Sequence, residues 1–170
     1  MRLYHFSEED NITIFHPRVK ENRKNMPPVV WAIDEEHQFT FYLPRNCPRI
    51  VYRRSQSVLE EDASRFFGPT TSEIVLTIEN RWLSRILQYP LFRYELPAST
   101  FTLFDETAGY YISEQEVTPL QKSIIENGLE QLAAMNIDIR FTPDLHPLRE
   151  KLLQSSITDF GIHRFEFAGG

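Results

Sequence analysis

Short stretches of strand-forming residues recur along this chain in an order that leaves no regular alternation with helices. LYHFS at 3–7, VVWAI at 29–33, RIVYRR at 49–54, EIVLTI at 73–78, LFRYELP at 91–97, FTLF at 101–104, GYYIS at 109–113, IDIRF at 137–141 and HRFEF at 163–167 all read as strands. Helical patterns separate only some of them. That irregular mixture excludes a doubly wound parallel sheet and predicts an α+β domain, a mixed and largely antiparallel split sheet with flanking helices. A length of 170 residues suits one compact domain spanning 1–170.

The helices are read from their ends. In DEEHQFTFYLP, Asp34 is placed as the N-cap of a short helix that Pro44 ends. SVLEEDASRFFG carries Ser57 and Glu60 in capping-box spacing and Gly68 as a stop. RWLSRILQ presents Trp82, Leu83, Ile86 and Leu87 as an apolar stripe that belongs in the core. The sharpest start is Thr118-Pro119, with Gln121 completing a box, which predicts one helix to about residue 135 in which Gly128 is a weak spot. A last helix covers LHPLREKLLQS. Between the first two strands, HPRVKENRKNMPP at 16–28 excludes regular structure through its charges, asparagines and paired prolines.

Composition narrows the class. Hydrophobic residues make up 41% and charged residues 25%, so a packed core is affordable and long disordered tracts are not expected. No apolar run approaches the roughly 20 residues that cross a bilayer, and the N-terminus lacks a signal-peptide pattern, so a soluble cytoplasmic protein without membrane contact is expected. The net charge of -6 argues against general binding to a nucleic-acid backbone. Residues 1–54 nevertheless carry a small basic excess. Cys47, the single cysteine, cannot form an internal disulfide. Its neighbours Arg45 and Arg49 could activate the thiol, while burial as a small hydrophobe is the ordinary alternative.

No autonomous catalytic motif stands out. The glycines lack phosphate-loop spacing, and no helix carries a metal-ligand pair, so no metal site is expected. The candidates are polar and aromatic residues at strand ends. Alternation puts His5 and Ser7 on one face of the first strand, where an imidazole beside a hydroxyl could bind a ribose or an amide, or simply be structural. Arg18, Arg45 and Arg49 offer planar forks to a phosphate, against the plainer reading of solvated surface cations. Trp31, His37 and Tyr42 lie on or beside the second strand and could face a base or nicotinamide, core packing being the default for Trp31. Glu106, Glu114 and Glu116 are the acidic candidates for stabilising a developing cation.

Taken whole, the chain resembles a bacterial family of small uncharacterised proteins that share LYHFSE, VWAID, an aromatic-Pro-Arg-x-Cys-Pro-Arg segment and AGYYIS. At greater distance, LYHFS, VVWAIDEEHQFTFY and GYYISEQEVTP are similar to the ADP-ribosyltransferase fold, a split α+β sheet that holds NAD in a cleft between its halves. That resemblance implies His5 on the adenosine ribose, Trp31 and Tyr42 near the nicotinamide, and NAD as substrate. It also implies a catalytic glutamate where this chain has Gly109, so that Glu106, three residues earlier, would stabilise the transition state from the loop. The RNA 2'-phosphotransferase relatives of the fold dispense with that glutamate and set arginines on phosphate, which makes Arg18 and Arg45 the matching residues here. The implied activity is ADP-ribosyl transfer, with a nucleotide as small-molecule partner and the acceptor open. The alternative is a binding protein of the same fold without turnover, which Gly109 favours.

Overall fold

In the computed structural model, which describes residues 1–169, the strand-like stretches form two separate sheets. In chain order the strands are β1 (Leu3–Ser7), β2 (Val30–Asp34), β3 (Arg49–Arg53), β4 (Ile74–Glu79), β5 (Leu91–Leu96), β6 (Thr102–Asp105), β7 (Tyr110–Ser113), β8 (Gln121–Ile125), β9 (Asp138–Thr142) and β10 (Phe160–His163). The α-helices are α1 (Glu60–Phe66), α2 (Leu83–Gln88), α3 (Gly128–Ala134) and α4 (His146–Leu153). The chain packs as two units, the first made of Met1–Tyr42 and Pro90–Glu126, the second of Leu43–Tyr89 and the chain from Asn127 onward.

The first unit holds the six-stranded sheet, in the order β6-β7-β2-β1-β5-β8, with every pairing antiparallel. Alternation sends Leu3, Val30, Ala32, Tyr94 and Leu96 to one face, where Phe15, Phe101 and Val117 cover them. The other face carries aromatic residues. The second unit holds the four-stranded sheet, order β10-β3-β4-β9, in which only β4 and β9 run parallel. Its core is Ile50, Tyr52 and Val75 from the sheet against Phe66, Phe67, Leu145, Leu152 and Ile157. This is an α+β fold with largely antiparallel sheets, as the order of elements predicts.

Several local expectations are corrected. The single helix over 118–135 is instead β8 followed by α3. Ser123, Ile124 and Ile125 complete a ladder with β5 (Leu91↔Ile125 to Glu95↔Gln121), and the change of element falls where the chain passes from one unit to the other. The helix begins at Gly128 because Asn127 caps it, its Oδ1 accepting from the Glu130 N–H at 3.1 Å while its Nδ2 donates to Glu130 Oε2 at 3.2 Å. At α1 the proposed Ser57–Glu60 box is absent: Ser57 Oγ bonds Ser55 and Thr158, and the Leu59 N–H donates to Ser156 Oγ. The stop at Gly68 is as expected, at φ +63. On α2 only Ile86 of the apolar stripe is buried, with Leu87 64% exposed. Asp34 ends β2 and caps a turn leading to a 3-10 helix at Gln38–Phe41, accepting from the His37 N–H at 2.8 Å. The final strand lies at Phe160–His163, ahead of the expected HRFEF, because Arg164 turns left-handed and Phe165–Phe167 coils.

Candidate functional site

The aromatic face of the first unit starts from two alternating strands and one short turn. Phe6 of β1 stacks on Phe41 at 6.1 Å between ring centres and meets Tyr42 at 5.6 Å. Phe41 in turn meets Tyr110 of β7 at 6.2 Å, and Tyr110 meets Trp31 of β2 at 5.9 Å. Phe104, at the bulge where β6 slips against β7, closes the row edge-on to Trp31 at 5.0 Å. Trp31 and Tyr42, two of the residues singled out from sequence, thus belong to one continuous row of rings, of which Tyr42 is the buried end. On the same face, Arg93, the cross-strand partner of Phe6, donates to Gln38 Oε1 at 2.9 Å and lies over the Tyr4 ring at 4.8 Å. Burial pushes the Tyr42 hydroxyl above its usual range, with the Arg93 cation pulling the other way.

The loop at 16–28 is pinned rather than irregular. Antiparallel bridges Phe15↔Val117 and Arg18↔Val29 hold its ends, and a 3-10 turn forms at Glu21–Arg23. The turn sets Lys20 Nζ 4.2 Å from the Trp31 ring centre and the Arg23 guanidinium 5.2 Å from both Trp31 and Phe104. Sequence reasoning chose Arg18 and Arg45 as phosphate ligands and passed over Lys20 and Arg23. The available signal was their position in a basic turn directly preceding the strand that carries Trp31. Trp31 Nε1 is buried without a hydrogen-bond partner among the described residues.

His5 sits on the opposite face, its ring 4.7 Å from Phe15. Its Nδ1 reaches the Trp31 carbonyl at 2.8 Å, and since a carbonyl only accepts, Nδ1 carries the proton. His5 therefore touches the aromatic site through the backbone of Trp31 and does not share a face with Tyr42. Ser7 Oγ accepts from the Glu9 N–H at 3.1 Å and closes the turn after β1. Arg18 is exposed, and Arg45 belongs to the second unit, its N–H donating to Tyr89 Oη at 3.3 Å. Glu106 is exposed in the β6–β7 turn. Glu116 is exposed and paired with His16 at 2.9 Å.

His37 is placed more tightly than sequence suggested. Its Nδ1 and its backbone N–H both meet Asp34 Oδ1 at 2.8 Å, with the two side chains 14% and 22% exposed. The β6–β7 turn closes over this pair, because the Asp34 N–H donates to the Gly109 carbonyl at 3.0 Å. Gly109 is at φ +76, and a Cβ there would lie 2.5 Å from His37 Nδ1 and 2.8 Å from Asp34 Oδ1. The position read as that of a missing glutamate therefore has no room for a side chain.

In the second unit, Cys47 is buried, and burial pushes its thiol up to about 11 despite the Arg49 cation, so the activated reading of that residue is not supported. Glu79, Asp144 and His146 bring ligand-type atoms within 4.8 Å of one another. The fully buried Glu79 carboxylate accepts from the Leu145 and Gly169 N–H groups at 3.0 Å and from Arg81 Nε at 3.2 Å, so its work is to tie chain segments together. No helix among the described residues is long and apolar enough to cross a membrane.

The chain matches the family of unknown function DUF6886 over residues 4–168, and it belongs to that family. No curated protein and no solved structure matches it.

Proposed function

We propose that this member of DUF6886 binds NAD, or another group containing an ADP-ribosyl or phosphorylated ribose moiety, on the aromatic face of its first unit and transfers ADP-ribose from it. One observation carries the reading: Lys20 and Arg23 are fixed over Trp31 and Phe104, which puts two cations beside a row of aromatic rings. A dinucleotide requires that combination, cations for the diphosphate and ring surfaces for the base or nicotinamide. Phe41 extends the surface, and the buried Tyr42 packs behind it against Phe6. His5 acts on it as a positioning residue by holding the Trp31 carbonyl. Arg18 carries the phosphate role that the resemblance to the RNA 2'-phosphotransferases implies, and Glu106 the stabilisation of the oxocarbenium-like centre; Ser7, on the face of His5, and Arg45, in the second unit, are left out of this site.

A second reading, nucleotide binding without turnover, is favoured by Gly109, where no carboxylate can stand. Titration calorimetry with NAD and with ADP-ribose tests the first claim. Binding should weaken by about tenfold or more when Lys20 and Arg23 are both replaced by Ala, the loss of about 1.4 kcal/mol or more. Absence of binding at millimolar ligand sinks both readings. Binding without nicotinamide release leaves the second.

A further inference from the structure

We infer that Asp34 and His37 are the acid–base pair of this site and that the acceptor is a hydroxyl group. The inference rests on the nucleotide reading above and deepens it. Asp34 Oδ1 accepts from both the backbone N–H and Nδ1 of His37, so the turn leaves the ring little freedom to swing away. Because a carboxylate oxygen only accepts, Nδ1 carries the proton, and a neutral ring presents Nε2 as its basic nitrogen. Among the described residues no hydrogen bond engages Nε2. An imidazole oriented by a carboxylate, with its second nitrogen turned away from that carboxylate, is the arrangement that general-base catalysis requires.

Two further features separate this pair from an ordinary turn contact. Gly109 packs against it so closely that any side chain would displace the imidazole, and the left-handed φ of +76 keeps the position suited to glycine. Tyr110, which follows Gly109, and Phe41, at the end of the 3-10 turn that His37 opens, are the rings that link Trp31 to Phe6 on the aromatic face. The pair thus borders the proposed nucleotide surface.

The step balances without any further reagent. The bond from ribose C1' to the nicotinamide nitrogen breaks, its electron pair neutralising the pyridinium charge. An acceptor oxygen bonds to C1' as its proton passes to His37 Nε2 and from there to solvent, while Asp34 stabilises the imidazolium. A hydroxyl is the acceptor that gains most from such a base. A carboxylate acceptor has no proton to give up, a thiol ionises readily by itself, and a guanidinium holds its proton too firmly for an imidazole to take.

The test follows nicotinamide release from NAD with water and with a simple polyol as acceptors, beside calorimetric NAD binding, for the wild type, His37→Gln and Asp34→Asn. Binding should be retained by both variants. His37→Gln should lose about a hundredfold or more in turnover. Asparagine can keep both hydrogen bonds to Oδ1 and removes only the charge that stabilises the imidazolium, so Asp34→Asn should lose about tenfold or more in turnover while binding is kept. The other charged groups on the elements around His37 are Glu35 and Glu36 in its own turn, Asp105 and Glu106 on the hairpin, and Arg93 bonded to Gln38, all of them unchanged in these variants. Turnover within about threefold of wild type in either variant overturns the inference. Bound NAD that the wild type never cleaves also overturns it and leaves the binding claim standing. Failure of the wild type to bind NAD instead removes the nucleotide reading, and the role of the pair falls with it.

Discussion

His5 donates through Nδ1 to the Trp31 carbonyl at 2.8 Å, at the point where β1 and β2 cease to pair through their backbones. The ladder between these strands runs only from Leu3↔Asp34 to Tyr4↔Ile33, so the imidazole takes over the carbonyl that a continued ladder would have used. His5→Ala should therefore cost about 1–2 kcal/mol, the penalty of an acceptor left without its donor. Urea unfolding measures this, and a change in Trp31 fluorescence should accompany it. An unchanged midpoint together with unchanged fluorescence would remove the positioning role.

Gly109 and His37 stand in a relation of mutual exclusion. Gly109→Ala forces a Cβ to within 2.5 Å of His37 Nδ1 at a left-handed backbone position. The expected loss is on the order of 1–3 kcal/mol. The Nδ1 proton resonance of His37, visible by nitrogen-edited NMR while Asp34 holds it, should disappear or shift strongly. An alanine variant as stable as wild type with the same resonance would show that the turn relaxes freely.

Asn127→Ala should destabilise the second unit by about 1 kcal/mol, because the cap at the start of α3 is lost along with its return bond to Glu130. Thermal unfolding followed by circular dichroism reads it, and Asn127→Asp should recover most of the loss. This position also explains how far sequence carried the fold. Strands such as β1, β3, β4 and β9 are legible because β-branched and aromatic residues cluster between turn residues. Thr118-Pro119 has the form of a helix start, yet the cross-strand ladder with β5 decides Gln121–Ile125, and no local pattern contains that partner. The candidate site divides in the same way. Trp31 and Tyr42 were visible as aromatics near the second strand, and His37 as a polar neighbour. The bond to Asp34 and the approach of Gly109 depend on a hairpin some seventy residues later in the chain.

Cys47 should behave as an inert core residue. With its thiol pushed up to about 11, the thiolate is scarce near pH 8, and burial hinders access as well. Ellman's reagent should react with the native protein far more slowly than with the same protein in denaturant. Rapid stoichiometric reaction of the native chain would show that the residue is reachable and its thiolate populated.

His163 gives the second unit an acid-sensitive element. Burial first, then the Arg49 and Arg164 cations, push its imidazole down to about 3, whereas in the unfolded chain it titrates near the ordinary value of about 6.5. In that interval the unfolded state binds a proton that the folded state does not. The contribution of the neutral ring to stability is therefore complete above about pH 6.5 and declines as the pH falls toward 3. His163→Gln removes this titration, so the slope of unfolding free energy against pH, measured by urea titration between about pH 7 and about pH 5, should be shallower in the variant. Equal slopes would mean that the folded ring accepts its proton as readily as the unfolded one, and that the neighbouring arginines are screened from it.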